Sequence, residues 1–127
     1  MRKEVGLWID HRQAIVVIVT DEGEEIRRIT SNMEGHTRFA GRSSQDRARE
    51  DTRDRQFAGH LRRYYDDVIA HIGDAESIQI FGPGEAKVEL RQRIENGALK
   101  GRIVATETVD KMTDRQIAAR VRQRLRG

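Results

Sequence analysis

Between Gly41 and Arg55 the chain reads GRSSQDRAREDTRDR, a run that mixes five arginines with four acids. Guanidinium is a permanent cation with a forked array of donors and a poor proton shuttle, so this density of arginine points to phosphate contact rather than to catalysis. The segment that feeds the run, residues 31–45, has no apolar periodicity, and a loop of that length in a small domain is functional or mobile. The residues expected to meet an anionic polymer are Arg38, Arg42, Arg47 and Arg49, with Ser43, Ser44 and Gln45 among them. A local role fits the same residues: Ser43 or Ser44 can cap the helix that follows, with Asp46 near its positive end. Capping and RNA contact are compatible.

Other chemistry-bearing residues read as structural. Asp10 ends an alternating run, the position where nucleases of ribonuclease H type place their first metal-binding carboxylate. A two-metal centre needs several convergent acids, yet no acid lies between Ser77 and Gly84, where a second is expected, and Glu85 and Asp110 are poorly placed substitutes. Asp10 is therefore expected to accept hydrogen bonds from the adjacent glycine-rich turn or to pair with a nearby cation, and no metal site is expected. Gly82-Pro83-Gly84-Glu85-Ala86-Lys87 joins a strand to a helix, where free amides can hold a phosphate. Its spacing matches neither a Walker loop nor GxGxxG, so it reads as a packing turn shaped by Pro83, from which Lys87 could still meet an RNA phosphate. His11, His36, His60 and His71 show no metal-ligand spacing. Trp8 is expected under a helix, and Tyr64 and Tyr65 in the core.

Composition bounds the class. The 127 residues, 36% hydrophobic and 35% charged with a net charge of +3, fit one domain with a lean core. There is no cysteine, which excludes a disulfide framework, a thiolate metal site and a cysteine nucleophile. The basic start MRKEVGLWID lacks a signal-peptide apolar run, and no stretch reaches the roughly 20 apolar residues that span a bilayer. A cytoplasmic protein without a membrane partner or cofactor is the expectation. Lys111–Gly127 carries one lysine, five arginines and a single acid, which suits a helix C-terminus and solubility as well as it suits RNA.

The elements follow from periodicity. Val5, Leu7 and Ile9 alternate as a strand with one buried face; Ala14–Val19 is a continuous β-branched run, a strand covered on both sides; Glu24–Thr30 is a less regular strand near an edge. A helix over Asp46–Ile72 divides in two. Phe57, Leu61, Tyr64, Tyr65, Val68, Ile69 and Ile72 form an apolar stripe, whereas residues 46–56 have little to bury and are expected to project, supported by pairs such as Asp46 with Arg49 and Asp51 with Arg55. Gly73 stops that helix. Ser77–Phe81 is the fourth strand, and Glu85–Glu95 a helix with Ala86, Leu90 and Ile94 inward, stopped by Gly97. Arg102–Thr106 is the fifth strand. Thr113 with Gln116 makes a capping box for a last helix that turns Ile117, Val121 and Leu125 to the core. The order β-β-β-α-β-α-β-α predicts an α/β domain over 1–127: a mixed five-stranded sheet, three antiparallel strands then two parallel crossovers, with three helices. That order is the ribonuclease H-like one, shared with S11/L18-type ribosomal proteins.

Three pieces in sequence, HTRFAGRSSQDRAREDTRDRQFAGHLRRYYDDVIAHI, IQIFGPGEAKVELRQRI and GRIVATETVDKMT, resemble the middle domain of archaeal and eukaryotic class-1 peptide-release factors and of the ribosome-rescue factor Pelota. The resemblance covers residues 36 to 113. The release-factor loop Gly-Arg-Gly-Gly-Gln-Ser stands in line with Gly41, Arg42, Ser43, Ser44, Gln45 and Asp46, so the glutamine is kept as Gln45 while two glycines are serines here. What the resemblance implies is a translation-associated module, its partner a ribosome or a tRNA, acting without ester hydrolysis in the manner of Pelota. Two enzymatic alternatives stand beside it: peptidyl-tRNA hydrolysis through Gln45, and metal-dependent nucleic-acid cleavage through Asp10. A further alternative is a homodimer formed through an exposed sheet edge without RNA.

Overall fold

The structure, a computed structural model, describes residues 3–31 and 47–126, with side-chain positions for 3–31 and 58–123. Five strands, β1 (Lys3–Ile9), β2 (Gln13–Thr20), β3 (Gly23–Thr30), β4 (Ser77–Gly82) and β5 (Ile103–Thr108), and three helices, α1 (Arg47–Ile72), α2 (Ala86–Glu95) and α3 (Asp114–Arg126), follow the expected order. They make one mixed sheet ordered β3-β2-β1-β4-β5. β1 pairs antiparallel with β2 and parallel with β4; β2–β3 is antiparallel and β4–β5 parallel.

The hairpins are set by local chemistry. Asp10 Oδ1 accepts the amides of Arg12 and Gln13, both at 2.8 Å, closing the reversal between β1 and β2. Such side-chain acceptance of amides two and three residues on is the turn-forming habit of aspartate. Asp21 and Glu22 turn β2 into β3, helped by the Thr20 hydroxyl, which accepts the Glu22 amide at 3.2 Å.

Two apolar clusters lie on opposite faces of the sheet. On one, Val5, Leu7, Ile9, Val16 and Ile80 meet Leu61, Tyr64, Tyr65, Val68 and Ile72 of α1 and Leu90 and Ile94 of α2. On the other, Trp8, Ile15, Val17 and Phe81 meet Ile117, Ala118 and Val121 of α3. β2 is thus buried on both sides, as its unbroken apolar run predicts. β1 departs from the expected single buried face: Gly6 and Trp8 on its other side lie beneath α3, and Trp8 Nε1 donates to the Val109 carbonyl at 3.2 Å. Trp8 lies under a helix as expected; alternation with glycine and a polar end residue hid that the strand as a whole is covered on both sides.

Ends of elements agree in part with expectation. Gly73, at φ 68°, takes the left-handed position that ends α1, its amide donating to Ile69. α2 instead ends on Asn96, and the left-handed glycine of that connection is Gly101 rather than Gly97. β5 starts at Ile103 and runs on to Thr108. The Thr113–Gln116 capping box is reciprocal: the Gln116 amide donates to Thr113 Oγ1 at 3.2 Å and the Thr113 amide to Gln116 Oε1 at 2.8 Å. The expected stripe is buried from Leu61 to Ile72, with Ile69 partly covered. Phe57, Leu125 and the pairs Asp46–Arg49 and Asp51–Arg55 fall outside the described side chains, and most of the 31–45 loop outside the described residues.

Two glycines permit close approach. A side chain on Gly82 would collide with the backbone carbonyl of Ile9, and one on Gly6 with Val121 and Ile117 of α3, whereas one on Gly84 would meet open space. The Gly-Pro-Gly turn is therefore a packing turn at Gly82. Gly82→Ala is expected to lower the urea unfolding free energy by about 3 kcal/mol and Gly6→Ala by about 1 to 3, the usual range for overpacking, while Gly84→Ala stays within about 0.5 kcal/mol of the parent.

Candidate functional site

The expected phosphate-contacting residues Arg38, Arg42, Ser43, Ser44 and Gln45 lie outside the described residues. The backbone of Arg47 and Arg49 forms the first turn of α1, but their side chains are not described. What the structure defines is a platform beside that segment: the end of β3 at Ser31, after which the segment follows in the chain, and the face of α1 from His60 onward, both fastened to the β1–β2 reversal.

Ser31 makes the first fastening. Its amide donates to the Arg12 carbonyl at 2.9 Å and its hydroxyl to the His11 carbonyl at 2.6 Å. His60 Nε2 meets the Ser31 carbonyl, tying α1 to the end of β3. One helical turn on, the Tyr64 hydroxyl donates to the Asp10 carbonyl at 2.9 Å. Tyr65 reaches the other way and donates to Glu89 of α2, whose Oε1 also lies 3.0 Å from His11 Nε2. Asp10, through its turn, and His11 thus connect β1 with α1, α2 and the end of β3.

The electrostatics of this cluster favour anchoring over proton transfer. Burial pushes the Tyr64 phenol well above its ordinary range, with the Asp10 charge adding to the shift. Burial does the same for Tyr65, followed by its hydrogen bond to Glu89. Both phenols stay neutral donors at any physiological pH. Further along the α1–α2 seam, the Arg93 guanidinium grips Asp66 at 2.6 and 2.8 Å and holds that carboxyl below the usual carboxylate range.

Asp10 is engaged by its own β1–β2 reversal, through the amides of Arg12 and Gln13, rather than by the glycine-rich turn or a cation as expected. Among the described residues no group of three or more His, Asp or Glu is arranged to hold a metal ion. Lys87 is almost buried, and its ammonium donates to the Gly84 carbonyl at 2.7 Å, so it closes the strand-to-helix turn from inside. The basic last helix is partly engaged too: Arg120 pairs with Glu107 and lies 5.2 Å over the Phe81 ring, and Arg122 pairs with Glu24.

Sequence reasoning missed His60 and Glu89. His60 and Tyr64 are four apart and so share a helix face, a signal strong enough to find the anchoring edge of α1. Glu89 had none, since its partners lie 24 and 78 residues away.

The tyrosines give the fold an alkaline limit. Above pH 10.0, the free-phenol value, the unfolded chain releases protons that the native chain retains, so stability is fully present below that pH and falls as pH rises beyond it, by up to about 1.4 kcal/mol per pH unit for each group. Urea titrations followed by Trp8 fluorescence should show this fall, and Tyr64→Phe with Tyr65→Phe should remove most of it.

No family model and no curated protein matches the chain. Among solved structures, Pelota from Archaeoglobus fulgidus matches over 98% of this chain and 32% of its own, with a TM-score of 0.59 and 14% identity. Pelota from Thermoplasma acidophilum matches over 93% and 31%, with a TM-score of 0.50 and 13% identity. The chain spans about a third of the length of these proteins. Its fold is Pelota-like: the five-stranded sheet and three helices of this chain correspond to one portion of that larger protein.

Proposed function

We propose that this chain is a translation-associated module that binds a ribosome or a tRNA through the arginine-dense segment and the first turn of α1, without hydrolysing an ester. The single observation that carries the reading is the Pelota-like fold, matched across 98% of the chain. The sequence resemblance to the middle domain of Pelota and the class-1 release factors over residues 36 to 113 points the same way.

Physical chemistry assigns the contact. Arg38, Arg42, Arg47 and Arg49 supply permanent charge and forked donors for phosphate oxygens. Ser43, Ser44 and Gln45 supply hydrogen bonds to phosphate or sugar. The platform of Asp10, His11, Ser31, His60 and Tyr64 supports this role by fixing where the segment leaves the sheet, which lowers the ordering cost of binding. Lys87, turned onto Gly84, is a weaker candidate than the arginines. Absence of hydrolysis is supported by Ser43 and Ser44 standing where the release-factor loop has glycines. A β-carbon penalises left-handed backbone by about 1 to 2 kcal/mol per residue.

Phosphate contact makes a quantitative demand. Four neutralised phosphates give a logarithmic salt slope of about −3, hence roughly 50-fold weaker binding between 50 and 200 mM salt. Co-sedimentation with purified ribosomes, or filter binding of tRNA, at those two concentrations is expected to show that fall. Replacing the four arginines by alanine should flatten the slope toward zero. Binding indifferent both to salt and to those replacements would defeat the proposal. Release of labelled peptide from ribosomes is expected to be the same for the parent chain and Gln45→Ala.

A further inference from the structure

β3 is an edge of the sheet, paired with β2 alone. The Ser31 amide donates to Arg12 in β2's direction, and because an antiparallel ladder alternates, Glu24, Ile26 and Arg28 turn their amides and carbonyls to the open side. Ile26 is 46% exposed, the most exposed large apolar residue among those described. Around it the strand reads Glu24-Glu25-Ile26-Arg27-Arg28, two acids and two arginines in mirror order about one isoleucine.

We propose that β3 is a dimerisation edge, on which a second copy of this chain pairs antiparallel about a two-fold axis through Ile26. Centring the pair there sets Ile26 against the second copy's Ile26, Glu24 against its Arg28 and Glu25 against its Arg27, each twice by symmetry. Directly opposed cross-strand residues share a face, and opposite charges there attract while like charges repel. The pattern therefore selects its own register. A slip of two residues in one sense opposes Glu25 to Glu25, in the other Arg27 to Arg27, and parallel in-register pairing opposes every charge to itself.

The surroundings agree with this occupant. Ile26 lies opposite Val17 of β2, on the α3 face. Glu24, on that face, pairs with Arg122 of α3, while exposed Arg28 has no partner among the described residues, so Glu24 would bridge Arg122 of its own chain and the second copy's Arg28. On the opposite face Arg27 binds Glu25 of its own strand at 3.0 Å, and the two such pairs meet across the axis as a four-membered ring of alternating charge. Edge strands commonly carry charge to repel neighbours; a mirror-ordered pair of opposite signs does the reverse. In this dimer the segments that follow the two β3 strands leave from opposite ends of a continuous sheet.

Charge exchange tests the register directly. Sedimentation equilibrium of the full chain at micromolar concentration is expected to show a dimer. Arg28→Glu opposes acid to acid and Glu24→Arg opposes arginine to arginine, so each alone should weaken association about tenfold or more with circular dichroism unchanged. Mixed one to one, the two variants restore both attractive pairs and should form a heterodimer. Ile26→Pro removes an outward-facing amide without breaking the β2–β3 ladder and should give a folded monomer. A parent chain that remains monomeric, a dimer unaffected by Arg28→Glu, or variants that fail to rescue each other would overturn the proposal. The RNA-binding assay is a separate readout, since the arginines replaced there lie outside β3.

Discussion

The carboxylate of Asp10 accepts two amides of its own turn, and the backbone it positions is the point on which that end of the molecule converges. Three consecutive carbonyls become acceptors in fixed directions: Asp10 for Tyr64, His11 for the Ser31 hydroxyl and Arg12 for the Ser31 amide. Each bond is modest alone, on the order of 1 kcal/mol net. Together they fasten α1 and the end of β3 to a strand buried on both faces. The donors sit on elements separated by long stretches of sequence, so the arrangement forms only once β1 occupies the centre of the sheet.

Coverage of the sheet is uneven. Two helices cover one face and α3 alone covers the other, packing on β1 and β2. Gly6 lets that one helix come close, since any side chain there would meet Val121 and Ile117. A helix seated over β1 and β2 leaves the outer strand partly bare, which is why Ile26 stays exposed on a strand otherwise lined with charge. The same geometry brings Arg122 to Glu24 and Arg120 to Glu107. A lean, highly charged composition thus places cations against nearby carboxylates, and charge counted along the chain overstates what the last helix can offer a polyanion.

Much of the architecture was legible because it rests on period and punctuation. The β-branched run of Ala14–Val19 could only be a covered strand, the capping box of Thr113 and Gln116 announced α3, and the spacing from Leu61 to Ile72 required a helix with one buried face. Strand order followed from connection lengths, since tight reversals make antiparallel neighbours and helical crossovers make parallel ones. The errors were local. Gly6 disguised a strand covered on both sides even though Trp8 was rightly expected under a helix, and Gly97 was given a stop that Asn96 and Gly101 share. In each case a neighbouring element, invisible to a local window, decided the outcome.

The candidate site divides along the same line. By itself the sequence determined which chemistry was on offer, because residue type governs it: permanent cations at Arg38, Arg42, Arg47 and Arg49, no thiol anywhere, and too few acids beside Asp10 for a two-metal centre. Only the tertiary structure decided that Glu89 receives both His11 and Tyr65, that His60 holds Ser31, and that Lys87 turns inward onto Gly84. Periodicity reports a residue's face on its own helix or strand. Which side chain from a distant element fills the space opposite depends on packing the whole sheet, and that information is spread over the entire chain.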